Sequence, residues 1–240
     1  MQNQTSQDAF KIVNRYLKFV APVIRKYRGF INQFLGDGIL ALFPHAAQDA
    51  FEAGIAILSA LKEFNRQQRE LGGLELEMGI GINTGPAMFG IIGEEERLDP
   101  AVISDVTNTA ARVESLNKLY GTHLLITDHT FKALGSENYP LRRIDKVFLK
   151  GRDIPTQLYE LIDWEEKLVD ISLKEYLALF YDAFAQYEKG DFAAAKSQFA
   201  NCLKYLPADR VSEIFIERCE HFSKEGTPKN WNGTFILTHK

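Results

Sequence analysis

Three short segments carry residue types at spacings suited to phosphate chemistry. The first is Phe34-Leu35-Gly36-Asp37-Gly38-Ile39-Leu40-Ala41-Leu42-Phe43-Pro44, in which one carboxylate stands between two glycines and two apolar runs. An aspartate presented at a hairpin tip is exposed and held in place, and its oxygens suit Mg²⁺ or Mn²⁺ bridging to phosphates. The same Asp-Gly pair is an ordinary turn signal, so Asp37 alone has a plain reading as well. The second segment runs from Leu98 to Glu114 and contains Asn108 and Arg112, which share one face of a helix at a spacing of four. An asparagine amide can orient a ribose oxygen, and an arginine offers a fixed cation to phosphate oxygens. In isolation such a pair also reads as a solvated helix face. The third is Gly79-Ile80-Gly81-Ile82-Asn83-Thr84-Gly85. Glycines alternating along a strand mark the close approach of another backbone or a ligand. No helix follows them directly, so they are not a dinucleotide fingerprint.

These segments need elements to hold them. Phe10, Val13, Leu17, Val20 and Ile24 recur at helical spacing over residues 8–27, where Pro22 should kink or break the helix. Residues 29–44 read as a hairpin, and 47–70 as a long helix with Ala50, Ala53, Ile57, Leu61 and Phe64 on one stripe. Strands are expected over 74–83 and 86–92, with 93–100 a polar loop or hairpin arm and Ala101-Val102-Ile103 a short strand. A helix from Thr107 to Lys118, a strand at Leu124-Leu125-Ile126, and a brief helix capped by Thr127 or Asp128 follow. Residues 141–149 and 156–162 close the series as paired strands. Helices interleaved with hairpins favour an α+β layer on a mostly antiparallel sheet.

The composition shifts near Trp164, which divides the chain into residues 1–164 and a helical tail, 165–240. Ala183, Tyr187, Gly190-Asp191-Phe192, Ala195, Phe199 and Pro207 match a single tetratricopeptide-like helix pair. One such pair cannot bury its own face, so it should pack on the rest of the chain or on a partner. Its apolar stripe (Phe184, Phe192, Phe199, Leu203) favours a fixed cap; a peptide-binding surface is the alternative.

Bulk properties narrow the function class. A net charge of −4 over 240 residues gives no overall attraction for nucleic acid or anionic lipid, so a nucleotide site needs local basic groups. Cys202 and Cys219 stand in no metal-ligand or redox spacing and read as idle thiols. No apolar run is long enough to cross a bilayer, and the first residues lack the apolar centre of a signal peptide. The expected location is cytoplasmic, with no membrane contact by the chain itself and a membrane-tethered parent left open.

Taken together, in this order and spacing, the three segments resemble the class III adenylate and guanylate cyclases over residues 8–162. Tyr27-Arg28-Gly29-Phe30-Ile31 and Phe148-Leu149-Lys150-Gly151-Arg152 match as well. The resemblance implies a ferredoxin-like βαββαβ sheet with helices, here followed by a small all-α tail. It implies a head-to-tail dimer, either a homodimer or a pairing with another cyclase domain, with sites at the interface. One protomer then supplies two aspartates for two Mg²⁺ or Mn²⁺ ions, and Asp37 matches the second of them. The other supplies purine-reading residues and the transition-state pair, matched by Asn108 and Arg112. Lys150 matches a lysine near the triphosphate. The implied reaction converts ATP or GTP to a 3′,5′-cyclic nucleotide and pyrophosphate in second-messenger signalling.

The sequence also departs from that pattern. The first metal aspartate belongs on a strand ahead of the first helix, and no segment here fits; Asp8, the only upstream acid, reads as a helix-start residue. The expected sheet therefore lacks its first strand and has exposed edges. At the purine-reading positions stand Gln33 and Ala101. Gln33 carries both a donor and an acceptor and could meet either purine; Ala101 can do neither job. Two functions follow as expectations: a nucleotidyl cyclase, active in a longer parent, or a catalytically incomplete cyclase-like regulatory or dimerisation module.

Overall fold

The computed structural model describes residues 6–94, 97–135, 139–149, 154–162 and 173–235, with backbone alone for 6–13 and 91–103. Helix α1 (Ser6–Lys26) continues through Pro22, so the expected break does not occur. Proline removes one helical donor, but the stripe on either side of it is anchored. Val20 and Ile24 are buried with Ile57, and the rings of Phe19 and Phe64 meet edge to face. Strands β1 (Phe30–Leu35) and β2 (Gly38–Leu42) form an antiparallel hairpin whose two-residue turn is Gly36-Asp37. Gly36 has φ +66°, the positive value required at the first central position of such a turn, so Gly36 makes the bend and Asp37 rides on it.

Helix α2 (Ala47–Glu70) leads into an extended stretch and then β3 (Ile80–Ile82), much shorter than the strand expected over 74–83. A ladder needs a neighbour, and only 80–82 find one, parallel to β6 (Leu124–Thr127). Strands β4 (Met88–Glu94) and β5 (Arg97–Ile103) pair antiparallel, so the described residues of 93–100 (93–94 and 97–100) belong to hairpin arms. Helix α3 (Asp105–Tyr120) starts at Ser104, whose hydroxyl accepts from the Val106 amide, and ends at Gly121 in the left-handed conformation. After β6, α4 (Asp128–Leu134) is capped by Thr127. Strands β7 (Leu141–Val147) and β8 (Thr156–Leu161) complete a four-stranded sheet in the order β3-β6-β8-β7. The β1-β2 and β4-β5 hairpins stand as two separate two-stranded sheets, giving an α+β fold in three sheet pieces.

The tail forms α5 (Leu173–Lys189), α6 (Phe192–Tyr205) and α7 (Arg210–Glu225). Asp191 caps α6 by accepting from the Ala194 amide. The aromatic stripe is buried, and its cluster is continuous with Val113, Tyr120, Leu125, Ile144 and Leu158 of the sheet and α3. Two ionic clasps tie the tail to β7. Arg142 reaches Asp209 at 2.8 Å and the Tyr176 hydroxyl at 2.7 Å, and its guanidinium lies 4.5 Å from the Phe180 ring. Asp145 pairs with Arg218 at 2.7 Å and accepts from the Tyr120 hydroxyl of α3. Cys202 and Cys219 are free and buried, and burial pushes each thiol up to about 12, so they are inert as expected. Among the described residues no helix is long and apolar enough to cross a membrane.

Candidate active site

Helix α3 is the best-anchored element near the candidate residues. A Cβ on Gly81 would lie 2.3 Å from the Glu114 amide nitrogen and 2.4 Å from the Ala110 carbonyl oxygen, so only glycine lets α3 lie this close to β3. The glycine alternation therefore marks the approach of a helix backbone. Asn117, buried on α3, donates to the Ile80 carbonyl at 3.1 Å and accepts from Thr122 at 2.9 Å. Asn83, just beyond β3, donates to the Val106 carbonyl at 3.1 Å and accepts from Thr127 at 2.7 Å. Both ends of α3 are thus fixed to the sheet.

That anchoring presents three faces of α3. Thr109, Val113, Asn117 and Tyr120 point inward and are buried. Thr107, Ala110, Ala111 and Glu114 line a cavity of about 990 Å³. Asn108 is exposed and Arg112 half-buried one turn further on, and neither belongs to that cavity lining. Among the described residues neither side chain has an ion-pair or hydrogen-bond partner. An arginine held on a fixed helix without a carboxylate keeps its donors available for an anion.

Asp37 lies across the cavity, exposed at the hairpin tip. Its charge is felt by two groups the sequence did not point to. Burial and then the charge of Asp37 raise the Tyr16 hydroxyl to about 12, and the same two causes raise the Glu114 carboxyl above its ordinary value. Asp37, Tyr16 of α1 and Glu114 of α3 therefore converge, although no sequence spacing relates them. Gln33 is exposed on β1 opposite Leu40, and Ala101 lies on β5 opposite Gly90. Lys150 lies outside the described residues. Within one chain, Asp37 and the Asn108–Arg112 pair are not brought into one cavity.

The donor set does not fit a two-ion site on this chain alone. Asp37 supplies one carboxylate and Glu114 is the acid within its electrostatic reach. No group of three or more His, Cys, Asp or Glu side chains gathers among the described residues.

The profile of the adenylate and guanylate cyclase catalytic domain matches residues 34–162, more than half of the chain, and the chain belongs to that family. It is 32% identical over 222 residues to the terminal-differentiation specific adenylate cyclase of Dictyostelium discoideum, covering 88% of this chain and 10% of that one. It is 37% identical over 161 residues to an adenylate cyclase of Anabaena cylindrica, covering 64% of this chain and 32% of the relative. The chain thus spans a third or less of the length of these relatives. Among solved structures, the guanylyl cyclase Cya2 superposes with a TM-score of 0.58 at 34% identity, over 66% of this chain and 82% of that one.

Proposed function

We propose that this chain is the catalytic unit of a nucleotidyl cyclase, which contributes Asn108 and Arg112 to a site completed by a second cyclase domain. The substrate is a purine nucleoside triphosphate, ATP or GTP; the named relatives include both adenylate and guanylyl cyclases. In the reaction, the ribose 3′-oxygen forms a bond to the α-phosphorus. The bond from that phosphorus to the bridging oxygen breaks, its electron pair leaves with pyrophosphate, and the 3′-hydroxyl proton passes to solvent. Asn108 would orient the ribose, and the Arg112 guanidinium would meet charge growing on the phosphoryl oxygens. Gln33 and Ala101 are the positions that would face the purine, and Lys150 the triphosphate. Asp37 is the acid this chain would give to the reciprocal site, where the resemblance implies Mg²⁺ or Mn²⁺.

The observation that carries this reading is an arginine with no ion-pair or hydrogen-bond partner among the described residues, on a helix locked at both ends. The short donor set around Asp37 favours a second reading, in which the chain alone is a regulatory or pairing module and gains turnover only with a complete partner. The α5–α6 pair is read as support for α3 and β7, because its aromatic stripe is already filled.

A mixing experiment tests the proposal. This chain is combined with a cyclase domain that keeps its metal-binding acids and has Ala in place of the arginine matching Arg112. Cyclic nucleotide should form in the mixture and stay near background with either protein alone. Arg112→Ala in this chain should then lower kcat on the order of 10²–10³, with little change in KM, since the charge it meets develops mainly in the transition state. An unchanged rate would remove Arg112 from the chemistry.

A further inference from the structure

Residues 9–36 hold six basic residues and no acid, in a chain whose net charge is −4. Four of the six, Arg15, Lys18, Arg25 and Lys26, are exposed on α1. At about 100° per residue they fall, together with the exposed Pro22, within an arc of about 100° and along roughly 16 Å of helix. The opposite side of α1 is committed to the core. Val20 and Ile24 are buried with Ile57, and Tyr16 and Val23 pack beside them. Because α1 runs through Pro22 without a break, the four cations form one stripe on the outside of the helix.

Among the described residues nothing neutralises this stripe. None of the four side chains has an ion-pair or hydrogen-bond partner there, and Lys26 only touches the Tyr27 ring, 5.6 Å from its centre. The acids on and beside the neighbouring helix α2 are already engaged. Glu63 and Glu70 pair with Arg66, Glu75 pairs with Arg69, and Asp49 pairs with Arg28. Glu52 accepts from the Tyr139 hydroxyl. The two helices therefore present different exposed faces. On α2 both signs are interlaced as pairs, which is how a face that only meets water is kept neutral. On α1 a single sign is left open, and its field reaches outward for about a Debye length.

We propose that the α1 stripe docks this chain on an anionic lipid surface, with Arg15, Lys18, Arg25 and Lys26 lying against headgroup phosphates. The partner follows from what the stripe lacks. The apolar residues of α1 face the core, so the helix has no apolar face to insert and attachment is by charge alone. The stripe is convex, none of its four cations lines the cavity, and no neighbouring carboxylate fixes them for bidentate capture of a single anion. Exposed ion pairs with an acidic segment of another protein would be screened and would add little each. A bilayer acts instead through the summed potential of many headgroups on all four cations at once, worth roughly fivefold in partition per cation. The net charge of −4 conceals the stripe because the acids that outweigh it lie elsewhere in the chain. Attachment of this kind is independent of the cyclase chemistry.

Vesicle flotation with the full chain tests this without any reading of turnover. At about 50 mM salt, vesicles of phosphatidylcholine and phosphatidylserine in a ratio of about 2:1 should bind the chain at least ~10-fold more strongly than phosphatidylcholine alone, and about 0.5 M salt should release it. Lys18→Gln combined with Arg25→Gln should weaken the binding roughly 25-fold. Arg66→Gln combined with Arg69→Gln removes the same charge from the interlaced face of α2 and should weaken it less than ~3-fold. All four residues are exposed, so circular dichroism should stay native in both double variants. Equal binding to the two kinds of vesicle overturns the proposal. So does an equal loss in the two double variants, which would make net charge the cause. Retention on immobilised polyglutamate that depends on Lys18 and Arg25, without binding to either vesicle, also overturns it and assigns the stripe to an acidic protein.

Discussion

Asp37 and Glu114 face each other across the cavity, and the shift on Glu114 gives their relation a measurable sign. Partial burial, and then the charge of Asp37, raise its carboxyl above the ordinary value. The folded state therefore holds the Glu114 proton more tightly than the unfolded chain does. The stability this contributes is full below the unfolded value and is lost as pH rises through the raised one. Asp37→Asn should move the Glu114 midpoint down toward the ordinary carboxylate range, read by carboxyl NMR across a pH titration. An unmoved midpoint would place Asp37 out of reach. Gly81 is governed by contact rather than charge. Gly81→Ala would drive a methyl into the α3 backbone, which cannot yield as a side chain would. The expected cost is about 1–3 kcal/mol, seen as a Tm lowered by several degrees in a thermal melt.

At the scale of elements, α3 and β7 are the members that other parts lean on. Arg142 is almost wholly buried among Glu160, Asp209 and Tyr176. Burial alone would raise the Asp209 carboxyl, but the Arg142 guanidinium and the hydrogen bonds from Arg142, Ser212 and Tyr176 hold it below the usual range. Its contribution to stability is present above the unfolded value and falls away as pH drops through the lowered one. Glu160 runs the other way: burial raises it, Arg142 opposes the rise, and the charge of Asp209 adds to it. Arg142→Ala leaves Asp209 buried without its cation, and the expected loss is about 3–5 kcal/mol. Urea unfolding would measure it, and a loss under about 1 kcal/mol would mean that the clasp is solvated.

Elements with their own periodicity or turn chemistry were legible in the sequence. The β1-β2 hairpin, α2, α3 and the α5–α6 pair were of this kind, whereas α7 was not singled out, and Asn108 and Arg112 lie on one face of α3 as their spacing requires. What stayed hidden depends on partners far apart in the chain. The strand expected over 74–83 shrank to 80–82 because a strand exists only beside another strand. The Pro22 break failed because neighbours hold α1. Tyr16 and Glu114 came to Asp37 through the packing of three elements, and the partners of Arg142 and Asp145 could not be read from any local pattern.

For the whole molecule, the proposed function requires association, because the chain keeps Asp37 apart from Asn108 and Arg112. Light scattering over a concentration series should show a head-to-tail homodimer, weak because two edges remain unfilled. A strictly monomeric species at high concentration, with and without nucleotide, would count against that arrangement. The exposed Phe34, Leu35, Met88 and Phe89, on two neighbouring hairpins, are the apolar surface such a dimer would cover.

The clasp on β7 also dictates an order of events during synthesis. Arg142 meets Asp209, 67 residues further along the chain, and Asp145 meets Arg218 further still. At roughly 5–20 residues per second, a ribosome needs on the order of 3–13 seconds after making Arg142 before Asp209 exists. During that interval β7 carries a cation and an anion with no counter-charge from the tail, and the apolar face awaiting α5–α7 stays open. Both clasps on β7 therefore come from the start and middle of α7, and a messenger cut short before Asp209 would yield a chain in which neither Arg142 nor Asp145 finds its tail partner.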